Sequence, residues 1–157
     1  RAAEALALGR EAVRVHPGAS RLWLNLGQSW YRTATELGPW PDAVAGAREA
    51  FARATGLEPL QPWAWLEWAR LERGLGRLDE AAALARRAAA AEPNAVRVQL
   101  FLARVELDRG NLEQARAALH QARAASALRT RAGLSAYERE LVETPGWQLR
   151  ELEEALR

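Results

Sequence analysis

Few residues in this sequence could act as acids, bases or nucleophiles. The two histidines are His16, directly before Pro17, and His120, beside the apolar Leu119. A histidine cation at the C-terminal end of a helix is stabilised by the helix dipole, so structural or solvent-facing roles are predicted for both side chains. The absence of cysteine excludes thiolate catalysis, disulfides and cysteine zinc sites.

The carboxylates also lack the arrangement of a known catalytic site. Glu67 and Arg70 are three residues apart, as are Glu113 and Arg116. On a helix this spacing brings opposite charges together and contributes about 0.2–0.5 kcal/mol each. The sequence contains no HExxH, GxSxG or Walker-type glycine motif. We predict a chain that is not an enzyme and that binds no cofactor or metal, although spacing alone leaves a catalytic glutamate pair open.

The composition of the 157 residues, 49% hydrophobic and 27% charged, is typical of a single soluble domain. No run of 18 apolar residues and no signal-peptide pattern occurs, so no direct membrane insertion is expected. All 22 basic residues are Arg and 35 residues are Ala, which suggests a GC-biased or heat-adapted coding history. The net charge of only +2 argues against a nucleic-acid partner.

The absence of methionine indicates that Arg1 is not the genetic start and that the chain is a piece of a longer protein. Its location stays undetermined. Attachment to a membrane protein and release into the extracellular space are both open.

The elements that would position these residues repeat along the chain with a period of 34. Small or apolar residues, prolines and glycines recur in the same register. The recurring sets are Ala47, Ala81 and Ala115; Phe51, Ala85 and Leu119; Ala54, Ala88 and Ala122; Pro59 and Pro93; Gly76 and Gly110; and Ala69 and Ala103. Such a period is the signature of a stacked repeat fold.

The residue types in this pattern suit two packed antiparallel helices per unit. Small residues at Ala81 and Ala115 allow close helix approach, and a proline closes each unit because it cannot continue a helix. Asn94 is a candidate N-cap for the helix that follows. Gly76 and Gly110 are predicted to take the left-handed conformation at the turn between the two helices.

The pattern resembles the tetratricopeptide repeat family. The family's Trp, Leu, Gly, Tyr, Ala, Phe, Ala and Pro positions correspond to Trp23, Leu26, Gly27, Trp30, Ala47, Phe51, Ala54 and Pro59. The later units match less well, because Ala85 and Leu119 replace Phe and Ala127 stands where Pro is expected. The resemblance implies an all-α, right-handed α-solenoid of antiparallel helix pairs, with about three repeats and a divergent C-terminal pair.

Five segments follow from this register within a single domain of residues 1–157. Residues 1–17 form the second helix of a truncated repeat, and residues 18–59 a repeat with an extended first helix and an insertion. Residues 60–93 and 94–127 are regular repeats, and residues 128–157 a divergent helix pair. The insertion is expected to prolong the first helix by about two turns, with an N-cap at Asp42. The last pair is expected over residues 130–143 and after an N-cap at Thr144.

In this family the first helices of successive units line a concave face, and the resemblance assigns a set of groove residues to this chain. They are Leu24, Gln28, Tyr31, Arg32, Trp63, Leu66, Arg70, Arg73, Arg97, Leu100, Phe101, Arg104 and Leu107. Apolar anchors mixed with Arg favour a protein or peptide partner of some acidic character. Leu24 and Gln28 replace the Lys or Asn of the two-carboxylate clamp, so that ligand is not expected. A purely solvated inner face in a spacer remains the alternative.

The two ends suggest a second function. A chain that begins on an unpaired second helix exposes a face that could stack on another copy, producing a homo-oligomer, filament or tube. The candidate anchors are Trp40, Trp147, Leu152 and Leu156. Trp40, between two prolines, could equally cover the adjacent core.

The segment from Phe51 to Glu140 also resembles the soluble C-terminal repeat region of bacterial O-antigen ligase and polymerase-type membrane proteins. The resemblance implies an interaction scaffold within a larger cell-envelope protein whose chemistry lies elsewhere.

Overall fold

The computed structural model describes residues 2–36, 41–128, 131–143 and 146–157, and within them every regular element is an α-helix. The helices are α1 (Ala2–Val15), α2 (Ser20–Glu36), α3 (Pro41–Leu57), α4 (Pro62–Gly74), α5 (Leu78–Ala91), α6 (Val96–Asp108), α7 (Leu112–Ala127), α8 (Ala136–Val142) and α9 (Gly146–Ala155).

Six of the helices form three consecutive pairs, in which α2 packs on α3, α4 on α5 and α6 on α7. Each second helix also packs on the first helix of the next pair, and α1 packs on α2 in this way. At the other end α8 and α9 pack against α6 and α7. The predicted α-solenoid is confirmed.

The recurring small residues lie where the helices of a pair approach most closely. Ala47, Ala81 and Ala115 are each 0% exposed. In the first pair, a Cβ added to Gly27 would lie only 2.5 Å from the ring of Phe51. The period of 34 therefore reflects close helix packing, in which interior volume is fully occupied.

A second regularity joins one unit to the next. The indole N–H groups of Trp23 and Trp65 donate to the carbonyl oxygens of Pro17 and Pro59, over 2.8 and 2.9 Å. The Gln99 amide donates to the carbonyl oxygen of Pro93 over 3.0 Å. The proline that ends a unit thus offers its free carbonyl to the first turns of the next helix.

The predicted turn glycines are confirmed, since Gly76 and Gly110 have φ angles of 75° and 77°. The two described N-cap predictions are wrong. Helix α6 begins at Val96 with Ala95 as its cap, two residues after the proline turn that contains Asn94. Helix α3 begins at Pro41, which places Asp42 inside its first turn.

The helix extents differ from expectation in two places. Helix α2 has 17 residues and ends at Glu36, whereas α4 has 13. The extension of α2 is therefore about one turn, and not the two turns expected from the sequence. Towards the C-terminus the expected helix 130–143 is reduced to Ala136–Val142, because Ser135 caps it with a capping box. The N-cap prediction at Thr144 lies outside the described residues. The division into repeat units remains a prediction from the sequence register.

Candidate protein-binding groove

Two adjoining clefts lie along the side of the molecule formed by the first helices of the pairs. The α4–α6 cleft, of about 530 Å³, is lined by Tyr31, Arg70, Arg73, Gly74, Leu78, Phe101 and Asp108. The α6–α9 cleft, of about 280 Å³, is lined by Arg70, Arg97, Leu100, Phe101, Arg104, Trp147, Gln148, Glu151 and Leu152. Because they share Arg70 and Phe101, the two clefts form one continuous groove.

The groove contains more arginines than acids. Arg73 is paired with Asp108 at 2.7 Å and Arg104 with Glu151 at 2.5 Å. Arg70 is paired over 2.7 Å with Glu67, which lines neither cleft. These partly exposed pairs orient the guanidinium groups and are worth little in stability.

Arg97 is held differently from the other groove arginines. Its guanidinium carbon lies 5.4 Å from the centroid of the Trp63 ring, a cation–π geometry. No carboxylate of the described residues lies within ion-pairing distance of it. The edge of its guanidinium group is therefore open to an external acceptor.

The structure brings together seven of the groove residues predicted from the sequence. They are Tyr31, Arg70, Arg73, Arg97, Leu100, Phe101 and Arg104. Leu24, Gln28, Arg32, Trp63, Leu66 and Leu107 line neither cleft. The assignment of Leu66 to the binding surface is wrong, because this side chain is 0% exposed in the core. Leu100 is also nearly buried and contributes to the cleft floor only.

Helix α9 contributes a wall of the groove that the repeat pattern did not predict. Trp147, 56% exposed, faces the α6–α9 cleft together with Gln148 and Glu151. The anchor assignments for Leu152 and Leu156 are wrong, because both side chains are buried in the core against α6 and α7. Trp40 lies outside the described residues. The repeat columns continued into α9 fall on Leu149 and Glu153, which do not fit the family pattern, so the sequence register carried no signal for its position.

Two buried carboxylates lie away from the groove, at the ends of α4 and α6. Arg48 donates to both oxygens of Glu72 over 2.7 Å, and Glu106 accepts from Arg86, from Arg109 over 2.7 Å and from Asn111 over 3.0 Å. Each carboxylate thus fixes the second helix of one pair to the first helix of the next.

The same contacts set the protonation of these two groups. Burial raises the pKa of Glu106, but the hydrogen bonds from Asn111 and Arg109 and the charge of Arg86 outweigh it and leave that pKa lowered. Burial also raises the pKa of Glu72, but the hydrogen bonds from Arg48 and Trp68 outweigh this effect, and the pKa is lowered. Carboxylates that stay ionised in saturated contacts are suited to joining helices.

The described part of the chain contains no cluster of side chains that could hold a metal ion. No group of three or more His, Cys, Asp or Glu residues converges there, and His16 and His120 are both exposed. None of the described helices is long and apolar enough to cross a membrane.

Comparisons with known proteins agree with the helical repeat fold. Two tetratricopeptide repeat family models match, over residues 43–96 and 72–135. A search of curated proteins gives no match.

Three solved structures illustrate the shared fold. A thermophilic TPR protein of Thermus thermophilus is 21% identical, with 96% of this chain and 71% of that chain covered and a TM-score of 0.68. The Yersinia enterocolitica chaperone SycD, in complex with a peptide of the translocator YopD, is 16% identical. The match covers 87% of this chain and 90% of that chain, with a TM-score of 0.63. The TPR2B domain of yeast Sti1 in its Hsp70 complex is 19% identical. The match covers 86% of this chain and 96% of that chain, with a TM-score of 0.60.

At 16–21% sequence identity, the similarity to these three structures shows a shared fold. The helix pairs, the period of 34 and the family models all agree. Residues 43–135, which the two models match between them, consist of tetratricopeptide repeats.

Proposed function

We propose that this chain is a protein-interaction scaffold that holds a segment of a partner protein in the groove. The observation that carries the proposal is the continuous groove itself, in which Tyr31, Phe101 and Trp147 alternate with arginines. Aromatic residues and Arg are the side chains most enriched at energetically important positions of protein interfaces. SycD and the Sti1 domain, which share the fold, are described in complex with a YopD peptide and with Hsp70.

A spacer with a merely solvated inner face is the competing interpretation. A spacer has no need to gather aromatic side chains and arginines in one cleft, yet Phe101 and Trp147 line the α6–α9 cleft together with three arginines. Exposed aromatic surface carries a cost in water that a bound partner removes. The absence of catalysis and of nucleic-acid binding stays a prediction from the sequence.

Site-specific photo-cross-linking tests the proposal. A photoreactive amino acid is placed at Phe101 in the groove and, as a control, at Leu112, an exposed position that lines neither cleft. In cells that produce the chain, a discrete protein adduct is expected from position 101 and not from position 112. Adducts of equal yield at both positions, or at neither, would contradict binding in the groove.

We further propose that the scaffold belongs to a larger bacterial cell-envelope protein. The support is the sequence resemblance of Phe51 to Glu140 to the repeat regions of O-antigen ligase and polymerase-type membrane proteins. The sequence of the full gene tests this proposal, with several hydrophobic spans expected in the same protein. A gene without such spans would remove it.

Self-assembly is a second candidate, favoured by the open face of α1. Ala5 and Ala12 occupy the register of Ala47 and Ala54, which are 0% exposed in the complete pair. In α1, Ala5 is exposed and Ala12 is half-exposed. Leu8 extends this face and is 67% exposed. The stripe has the apolar spacing of a helix that packs on another helix.

Sedimentation velocity separates this candidate from the groove proposal. If copies stack through α1, the apparent mass should rise above 17.4 kDa with concentration. The variant Leu8→Glu should then remain monomeric, while Leu60→Glu, at an 80% exposed position outside α1, should behave like the parent chain. A parent chain that stays monomeric at every concentration would exclude assembly by this face.

A further inference from the structure

The α6–α9 cleft has a composition that specifies its ligand more closely than the groove as a whole. Three arginines, Arg70, Arg97 and Arg104, face it, whereas Glu151 is the one carboxylate among its lining residues. Apolar side chains of Leu100, Phe101 and Leu152 form the rest of the lining with Trp147. Anionic and large apolar groups of a ligand could therefore be bound side by side.

Arg97 is prepared to bind a carboxylate. Its cation–π contact with Trp63 restrains the guanidinium group, while its N–H donors stay unengaged by any described carboxylate. A planar, pre-oriented guanidinium group forms bidentate hydrogen bonds with a carboxylate and loses little entropy in doing so. Because Arg70 and Arg104 are already paired, Arg97 is the principal anion-binding group of the cleft.

Trp147 is held in place as an apolar counterpart. It lies on α9, which is anchored to the core through the buried Leu152 and tied to α6 by the Arg104–Glu151 pair. An exposed indole in the same cleft as Phe101 can contact an aromatic or large aliphatic side chain of a ligand.

The shape of the site favours an extended chain over a compact ligand. The α6–α9 cleft has only about 280 Å³ and opens through Arg70 and Phe101 into the α4–α6 cleft. Specific small-molecule pockets bury most of the surface of their ligand, whereas this cleft continues into a second one. A nucleic acid is disfavoured because the net charge is only +2 and three groove arginines are already neutralised.

We propose that the α6–α9 cleft recognises an acidic protein segment in which an aromatic or large aliphatic side chain lies next to a carboxylate. The carboxylate binds Arg97, and the apolar side chain lies between Phe101 and Trp147. This assignment rests on the proposed function of the groove, since it names the class of segment that the groove takes.

A random twelve-residue peptide library displayed on phage and selected against the full chain tests the proposal. Enriched peptides are expected to combine acidic residues with an aromatic or large aliphatic residue. Synthetic copies should lose affinity about tenfold in Arg97→Gln, the loss expected for one charge-assisted hydrogen-bonding pair. A similar loss is expected in Trp147→Ala, and binding should weaken as salt is raised.

Matched controls are available for both substitutions. Arg87 also stacks on a tryptophan, 5.1 Å from the ring centroid of Trp65, but it lines neither cleft of the groove. Tyr137 is the control for Trp147, because it is an aromatic side chain that is 50% exposed and lines neither cleft. Arg87→Gln and Tyr137→Ala should leave the affinity unchanged, and all four side chains have enough exposure for the variants to fold.

Several results would overturn the inference. They are an enrichment of neutral or basic peptides, no enrichment, an equal loss in Arg87→Gln, or tighter binding of a single-stranded oligonucleotide at the same cleft. The photo-cross-linking result keeps the two proposals apart. A protein adduct at position 101 together with peptides indifferent to Arg97→Gln would refute the acidic ligand and leave the groove function standing.

Discussion

Replacing Glu106 with Gln removes one negative charge from the contact between α5, α6 and α7 and changes the volume hardly at all. Glu106 is 1% exposed and accepts hydrogen bonds from Arg86, Arg109 and Asn111. In the variant one carboxylate oxygen becomes an amide NH₂, which cannot accept from a guanidinium group. Arg86 then loses its charged partner, whereas Arg109 keeps its pair with Asp79.

The loss can be bounded from the exposure of the partners. Breaking a fully buried ion pair costs about 3–5 kcal/mol. The Arg86 side chain is 49% exposed and can turn towards water, which lowers the penalty. We therefore expect a loss of about 2–3 kcal/mol for Glu106→Gln. In a domain of this size that corresponds to a fall in Tm of about 4–12 °C.

Thermal unfolding followed by circular dichroism at neutral pH is the assay. The control is Glu154→Gln, because Glu154 is an exposed glutamate of α9. The control should change Tm by less than about 2 °C, as surface substitutions normally do. If Glu106→Gln unfolds at the same temperature as Glu154→Gln, the buried carboxylate does not hold the pairs together and the reasoning fails.

Three further predictions concern the same framework. Because the folded-state pKa of Glu106 is lowered, its stabilisation is complete above the unfolded pKa and is lost as pH falls through the folded value. The Tm of the parent chain should therefore fall more steeply than that of Glu106→Gln below about pH 5, and parallel curves would contradict this. Gly27→Ala, whose Cβ would lie 2.5 Å from the Phe51 ring, should cost about 1–3 kcal/mol in urea unfolding, and less in a Phe51→Leu background; an equal cost in both would argue against the clash. Gly110→Ala, at a φ of 77°, should cost about 1 kcal/mol, whereas Gly56→Ala, in open space on α3, should be neutral or stabilising by the same assay.

The solenoid could be predicted because the packing of one helix pair imposes the same residue types every 34 positions. Ala81 and Ala115 are small for the reason that Ala47 is, and Gly76 and Gly110 end their helices in the same conformation. A repeated physical constraint leaves a repeated sequence signal.

The ion pairs between units leave a weaker signal, because only their carboxylates, Glu72 and Glu106, keep the period of 34. The Arg48–Glu72 pair spans 24 residues and the Arg86–Glu106 pair spans 20, so their arginines occupy different positions of the repeat. The burial of Leu66 was missed for a related reason, since the register gives the helix face but not the depth to which the neighbouring helix covers it.

The last helix was the least predictable element. Helix α9 lies against α6 and α7 through Leu152 and Leu156, and this docking has no counterpart elsewhere in the described part of the chain. Trp147 was therefore assigned to an end contact, although it lines the groove. Single interactions of this kind depend on tertiary packing and not on periodicity.

Amide hydrogen exchange of the chain, alone and bound to the partner identified by cross-linking, tests the central claim most directly. If a protein segment occupies the groove, protection should increase in α4, α6 and α9, whose residues line it. Amides of α1, α3 and α7, none of whose residues line the groove, should exchange as in the free chain. Protection confined to α1, or spread evenly over all the helices, would contradict binding in the groove.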